Sequence, residues 1–253
     1  MINLSVMKRL LAVIVPGALL LCSVLLTSGC ESKLVTPGSG EIILPSPSAL
    51  ESVVAEPGQP SAEVSKDPAG NVHSDFKSTG KFLLNKLELK SSRGGREIKY
   101  VVQVEDSLGL DPDTVAEKVH TTLDDDRGWA PIENVSFKLI VDQNDADLVV
   151  TLATGGTVNK LCQPLDTEST WSCRSSNTVN LNADRWLYAT PSYEGVDIEI
   201  YRTYLINHEI GHFLGHGHLN CPAPDGLAPV MQQQSMSLQG CLPNGWPAND
   251  PGR

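Results

Sequence analysis

Four of the six histidines in this chain of 253 residues lie within residues 208–218, which read H-E-I-G-H-F-L-G-H-G-H. If residues 201–214 are helical, His208 and His212 lie one turn apart on the same face of the helix. Gly215 tolerates a positive φ, so the helix can end there and the chain can turn back towards the helix. The spacing therefore predicts a helix, a sharp turn and three convergent imidazoles, with His218 as the third.

Three imidazole nitrogens at one point form the ligand set of a catalytic zinc site, in which the fourth position stays open for water or substrate. We predict that His208, His212 and His218 bind one Zn²⁺. Glu209 follows the first of these ligands, so its carboxylate can act as general base towards water activated by the metal. The alternative is that these are ordinary surface or core histidines. The apolar pattern of the segment gives no reason for four histidines so close together.

The pattern H-E-x-x-H-x-x-G-x-x-H resembles the long zinc motif of the metzincin clan of metallopeptidases. Met231, the last residue of the run A-P-V-M, lies where such families place a methionine turn under the metal. The wider segment is similar to an uncharacterised, mainly actinobacterial family of exported metzincin-like proteins, known as a domain of unknown function. This second resemblance covers about residues 80–250 and includes the runs A-P-V-M-Q-Q-Q and P-N-G-W-P.

The resemblance implies a metzincin-like zincin fold of the α+β class, with a twisted mixed sheet, a backing helix, an active-site helix and the methionine turn. The order of elements alone predicts only the α+β class. It has strands near residues 82–84, 97–104, 135–141, 147–153 and 178–182, and a helix that opens at Asp111. His120 is expected on the polar flank of that helix.

The resemblance also implies a function, a zinc-dependent metallopeptidase that hydrolyses peptide or protein substrates with Glu209 as general base. It assigns the third ligand to His218 rather than to His216. Several kinds of metzincin have a tyrosine two residues after the methionine, where this chain has Gln233. Two alternatives stay open, namely a non-catalytic zinc-containing binding module and an amidase that acts on cell-wall peptides.

The N-terminal region predicts export and a lipid anchor. Two basic residues at 8–9 precede the apolar run 10–26, which is typical of a bacterial signal peptide. The run L-T-S-G-C resembles a lipobox, in which Cys30 is acylated and becomes the mature N-terminus. We therefore expect a signal peptide over residues 1–29 and attachment to the outer face of the cell membrane, with secretion as the alternative.

The composition then divides the rest of the chain. Residues 30–79 are rich in Pro, Ser and Gly and predict a disordered linker after the lipidated cysteine. Residues 80–250 are expected to form the zinc peptidase domain.

The formal net charge of −11 argues against a nucleic-acid partner and against electrostatic attachment to anionic lipid. Membrane contact would come from the lipid alone, and we expect a monomer.

Four cysteines remain after Cys22 and Cys30, and they allow three disulfide pairings. Proximity in the sequence favours Cys162–Cys173 and Cys221–Cys241. Disulfides agree with an exported protein, since they persist in oxidising compartments. A cysteine-ligated metal is the less favoured alternative because the chain has no C-x-x-C spacing.

Overall fold

The computed structural model of the protein describes residues 62–252. The predicted signal peptide, Cys30 and the linker as far as residue 61 lie outside the described residues. Eight strands are present in the described part: β1 (Val64–Lys66), β2 (Val72–Ser74), β3 (Phe82–Leu84), β4 (Arg96–Glu105), β5 (Val135–Leu139), β6 (Leu148–Ala153), β7 (Cys173–Ser175) and β8 (Thr178–Asn182). Five α-helices accompany them: α1 (Pro112–Leu123), α2 (Trp129–Glu133), α3 (Gly155–Leu161), α4 (Ala183–Tyr188) and α5 (Ile198–Leu214).

Six of the strands form one mixed sheet in the order β3-β4-β6-β8-β7, with β5 also paired to β4. The pairs β4–β5, β4–β6 and β6–β8 are parallel, whereas β3–β4 and β7–β8 are antiparallel. Backbone groups point alternately to the two edges of a strand. Carbonyls of Tyr100 and Val102 accept from Ile140 and Asn85, while that of Lys99 accepts from Asp147. Strands β5 and β3 therefore share one edge of β4, and β6 takes the other.

This arrangement confirms the α+β class and most of the predicted elements. Helix α1 begins after Asp111, whose side chain accepts hydrogen bonds from the first turn, as its sequence predicts. Helix α5 begins three residues earlier than expected, at Ile198, and ends at Leu214 before Gly215, whose φ is 101°. Strand β4 extends the predicted run by one residue at each end.

Helix α5 is surrounded by other elements over most of its length. It lies against β8, β7, α4 and α1. Tyr201, Tyr204, Ile206 and Ile210 all belong to the main hydrophobic core, and none is more than 2% exposed. A helix that is buried on all sides is held by packing rather than by one apolar stripe. The central helix is therefore a rigid base for the side chains near its C-terminal end.

Ordered structure is already present before residue 80, where the sequence predicts the domain to begin. Residues 62–79 belong to the folded part, and β1 and β2 form an antiparallel hairpin that contacts α4. Arg185 of α4 donates to the side chain of Asn71, and Asp184 accepts from the backbone N–H of Ser74. A polar segment is ordered here because a folded partner supplies its hydrogen bonds.

The expectation that His120 lies on a polar flank of α1 is wrong, because this residue is buried. Its Nδ1 lies 3.0 Å from the hydroxyl of Tyr100, a fully buried residue of β4. A buried tyrosine hydroxyl requires a polar partner. Burial lowers the pKa of His120, so the imidazole serves this hydroxyl in its neutral form.

Both expected disulfides are present, Cys162–Cys173 and Cys221–Cys241, with Cα–Cα distances of 6.2 and 5.8 Å. They agree with a protein that lies outside the cytoplasm or is secreted. Between residues 62 and 252, no helix combines the length and apolar character needed to cross a membrane.

Candidate metal centre

Three histidines converge beside the C-terminal end of α5. His208 and His212 project from the same face of the helix, and His218 returns to them after the turn at Gly215. One ring nitrogen from each of the three lies within 4.8 Å of the corresponding nitrogens of the other two. The structure therefore brings together the three side chains that the spacing predicts, and this cluster could hold a metal ion.

In His208 and His212, the ring nitrogen that faces away from the cluster forms a hydrogen bond with a backbone carbonyl. Nδ1–H of His208 donates to the carbonyl of Val230 and Nδ1–H of His212 to that of His216, both at 2.9 Å. A carbonyl only accepts, so each neutral ring carries its proton on Nδ1 and keeps the lone pair on Nε2. The two imidazoles are thus held in the tautomer and orientation that a metal requires.

The remaining nitrogens face one another. Nε2 of His212 lies 3.0 Å from Nε2 of His218. Two lone pairs at this distance repel unless a proton or a cation lies between them. Burial lowers the pKa of His208 to about 3 and also lowers those of His212 and His218. Neutral, convergent imidazoles fit a divalent cation.

Glu209 lies beside this cluster with its carboxylate inside the protein. The residue is 4% exposed, and Oε2 has no hydrogen-bond partner among the described residues. Burial raises the pKa of Glu209 to about 8. A buried carboxyl oxygen without a partner is unusual in a folded protein and calls for a functional explanation.

Met231, the methionine that the resemblance singles out, is buried next to α5 and to the segment that follows His218. It is 1% exposed, and its carbonyl accepts from the N–H of Leu219, the residue after His218. A Cβ at Gly211 would lie 2.3 Å from the sulfur of Met231 and 3.0 Å from Cζ2 of Trp129. Only glycine leaves room here for two large side chains against the zinc-motif helix.

His216 does not join the cluster. Its Nε2–H donates to Oε1 of Glu133 at 3.0 Å, and its ring stacks on Trp129 with centroids 4.2 Å apart. The side chain is thus held against α2 while the backbone carbonyl accepts from His212. The contacts of His216 with α2 thus fix the carbonyl that accepts from His212. We call the group formed by Trp129, Glu133 and His216 the α2 clamp.

A cavity of about 480 Å³ opens beside the three histidines. One face of α5, the turn at residues 215–218, the loop that precedes β7, and the segment after Met231 form its walls. Gln233 is among its lining residues and is exposed. Tyr204, a buried core residue of α5, also lies in the wall, with its ring centroid 5.3 Å from that of His208.

Several residues at the site were not found from the sequence. Trp129 and Glu133 reach it from α2, Arg174 from β7 and Arg185 from α4. Arg174 donates from Nε and Nη2 to the carbonyl of His212, both at 3.2 Å. None of them belongs to a local motif, since they come together only when the sheet and the helices have packed.

The fold and the cluster define an α+β protein with three histidines that could hold a metal ion. The family model described as "Protein of unknown function (DUF3152)" matches residues 69–242. The match spans more than half of the sequence, and the chain belongs to this family. Its start at residue 69 agrees with the ordered hairpin that precedes residue 80. No curated protein matches the chain significantly.

Proposed function

We propose that this protein is a zinc-dependent metallopeptidase of the metzincin type. The observation that carries the proposal is the buried carboxyl of Glu209, whose Oε2 has no partner among the described residues and which borders an open cavity beside three convergent histidines. Three histidines are the ligand set of catalytic zinc sites, whereas structural zinc sites are usually closed by a fourth protein ligand. Within residues 62–252, only these three side chains form such a group.

In this proposal His208, His212 and His218 hold the metal through Nε2. Zinc, when bound, supplies a Lewis acid that polarises the scissile carbonyl and lowers the pKa of water. Glu209 takes the proton from the attacking water at Oε2 and passes it to the nitrogen of the leaving amine. The burial that raises its pKa suits a group that must both accept and return a proton near neutral pH.

The position of an edge strand beside the cavity supports a peptide as the substrate. Strand β7 is the last strand of the sheet, and its residues Cys173 and Arg174 line the cavity. An edge strand carries free N–H and C=O groups to which an extended peptide can add as a further strand. A peptide bound in this way would pass the three histidines with its backbone held by the sheet.

Gln233 occupies the position where several metzincins have a tyrosine. Its side-chain amide is exposed and lines the cavity, so it can donate a hydrogen bond where negative charge develops on the carbonyl oxygen. A neutral amide N–H stabilises negative charge on the carbonyl oxygen less than a divalent metal ion does. We therefore assign most of this stabilisation to zinc. We propose further that the enzyme acts at the outer face of the cell membrane, attached through acylated Cys30.

The test is hydrolysis by the purified full-length protein. A mixed peptide library and, separately, isolated cell-wall fragments are incubated with the protein in zinc, in a chelator, and in zinc restored after chelation. We expect peptides to be cleaved in zinc, not in chelator, and again after zinc is restored.

Three other results would contradict the proposal in different ways. Cleavage of cell-wall fragments without cleavage of library peptides would identify an amidase. Full zinc occupancy without cleavage of either substrate would favour a binding module. Cleavage that persists in chelator would remove the metal from the mechanism.

A further inference from the structure

The cavity beside the histidines contains two arginines that form no ion pair within the described part of the chain. Arg93, Arg127 and Arg202 each form an ion pair with a carboxylate. Arg174 and Arg185 line the cavity and take part in none of the ion pairs found among residues 62–252. This is unexpected in a chain whose net charge is −11, since acidic side chains outnumber basic ones by a wide margin.

Arg185 is the more unusual of the two because it is fully buried. Nη1 donates to Asn71 at 2.9 Å and Nη2 to the carbonyl of Val72, but Nε has no acceptor among the described residues. A guanidinium group with neutral partners and a free donor is an energetically poor arrangement inside a protein. Burial lowers its pKa, and the negative groups nearby oppose this only in part.

Two hydroxyl groups, one of them in the cavity wall, add to the polar groups near Arg185. The hydroxyl of Tyr201 lies 2.8 Å from Oγ of Ser235, and Ser235 lines the cavity with Arg185. Tyr201 is fully buried on α5, two turns before His208. A guanidinium group beside hydroxyls is a set of donors that suits a carboxylate.

The other charges of the cavity do not cancel this preference. Its two carboxylates are Glu209, beside the histidines, and Asp166, which is exposed. Arg174 and Arg185 match these in number, and a divalent ion at the three histidines would leave the cavity positive. A negatively charged side chain would therefore be attracted into it.

We propose that this cavity is a subsite for a carboxylate, so that the enzyme prefers substrates with glutamate or aspartate next to the scissile bond. The carboxylate of the substrate supplies the acceptor that Nε of Arg185 lacks. This inference rests on the proposed peptidase function. It names the chemical class of the substrate, which the three histidines and Glu209 do not determine.

The experiment compares peptides that differ in one charge. Pairs of otherwise identical peptides carry glutamate or glutamine, and aspartate or asparagine, at the positions directly before and after the scissile bond. We expect the zinc-loaded wild-type protein to cleave the acidic member of a pair at least about tenfold faster in kcat/KM at one of these positions. A site built to pair with a charged group rejects its neutral isostere, and low salt makes the difference largest.

The variant Arg185→Met assigns the preference to one residue. It removes the charge at similar volume, and we expect the acidic and neutral peptides to become equal substrates. Arg202→Met is the matched control, since Arg202 pairs with Glu199 and does not line the cavity. It should keep the preference. If Arg185→Met does not fold, the wild-type comparison still decides whether the subsite exists.

The outcomes separate this inference from the proposed function. Cleavage without acidic preference would overturn the subsite and leave the peptidase intact, and a preference that survives in Arg185→Met would overturn the role of Arg185. If no peptide is cleaved, the same pairs are titrated into the zinc-loaded protein by calorimetry. Tighter binding of the acidic peptide would then keep the subsite although the peptidase has failed, and equal binding would overturn both.

Discussion

Two neighbouring histidines, His216 and His218, have opposite roles in the site although they are separated by one residue. His218 faces the other two histidines of the cluster, whereas the ring of His216 is turned away and held by Trp129 and Glu133. The carbonyl of His216 remains the acceptor for His212, and this contact does not depend on its side chain.

Substitution of each histidine by alanine should therefore have different effects on the metal. We expect His218→Ala to lose bound zinc at micromolar protein, because one of three ligands is removed. His216→Ala should retain one zinc per chain. Metal analysis after dialysis against metal-free buffer checks both, and loss of zinc from His216→Ala with retention in His218→Ala would contradict the assignment.

The cluster of three histidines could be predicted at this scale because helix periodicity places residues four apart on one face. Glu209 was predicted from its position beside His208 and Met231 from the resemblance, and the structure places both close to the cluster. Glu133 and Arg185 could not be found, because nothing in the local sequence says which helices will meet the cavity. Their roles follow from tertiary packing.

At the scale of elements, α2 supports the histidine cluster through contacts with His216 and α5. Its five residues, Trp129–Glu133, present the indole and the carboxylate that hold the ring of His216. The indole N–H of Trp129 also donates to the carbonyl of Asn207 on α5 at 2.8 Å. The short helix thus fixes the segment after α5 relative to α5 itself.

Removal of the clamp should loosen the ligands without unfolding the domain. We expect Glu133→Ala to weaken zinc affinity about 10-fold to 100-fold, as is typical of groups that orient metal ligands. Glu117→Ala on the exposed side of α1 is the control and should leave affinity unchanged. Competition with a chromophoric chelator measures both, and equal affinities would show that the clamp has no such role.

Helix α5 packs closely against the side chain of Met231 at Gly211. We expect Gly211→Ala to lower the free energy of unfolding by about 1–3 kcal/mol, because the new methyl group overlaps the sulfur of Met231 and meets Trp129. Gly217→Ala should change it by less than about 0.5 kcal/mol, since no atom lies within 4 Å of the added Cβ. Urea denaturation of the metal-free proteins is the measurement, and equal effects would contradict the close contact.

The elements themselves were partly predictable. Strong β-branched runs and the capped helix at Asp111 were found, because their signals are local. The hairpin of β1 and β2 was not, since these three-residue strands lie in a polar segment and depend on Asp184 and Arg185 for hydrogen bonds. The order of strands in the sheet likewise has no signature in the sequence.

At the scale of the whole molecule, each of the two disulfides closes a loop that contributes to the cavity. Cys162–Cys173 encloses the loop that forms one wall, and Cys221–Cys241 encloses Val230, Met231 and the lining residue Gln233. Loops of 11 and 20 residues imply similar stabilisation of about 3 kcal/mol each in the chain-entropy model.

Removal of each disulfide in turn should distinguish its effect on the free energy of unfolding from its effect on zinc affinity. We expect replacement of both cysteines of either pair by serine to lower the free energy of unfolding by about 3 kcal/mol. Only loss of Cys221–Cys241 should also weaken zinc binding, because the carbonyl of Val230 orients His208. Denaturation and chelator competition on the two double variants test this, and equal zinc affinities would argue against a role for that loop in the site.

In the proposed mechanism, Glu209 acts as the base for hydrolysis at a zinc ion held by three histidines. The most direct measurement compares the rate of peptide cleavage by wild-type protein and by Glu209→Gln, each shown to contain one zinc per chain. The amide cannot accept the proton, so we expect the variant to be slower by about 10²-fold to 10⁴-fold. Equal rates at equal zinc content would contradict the account.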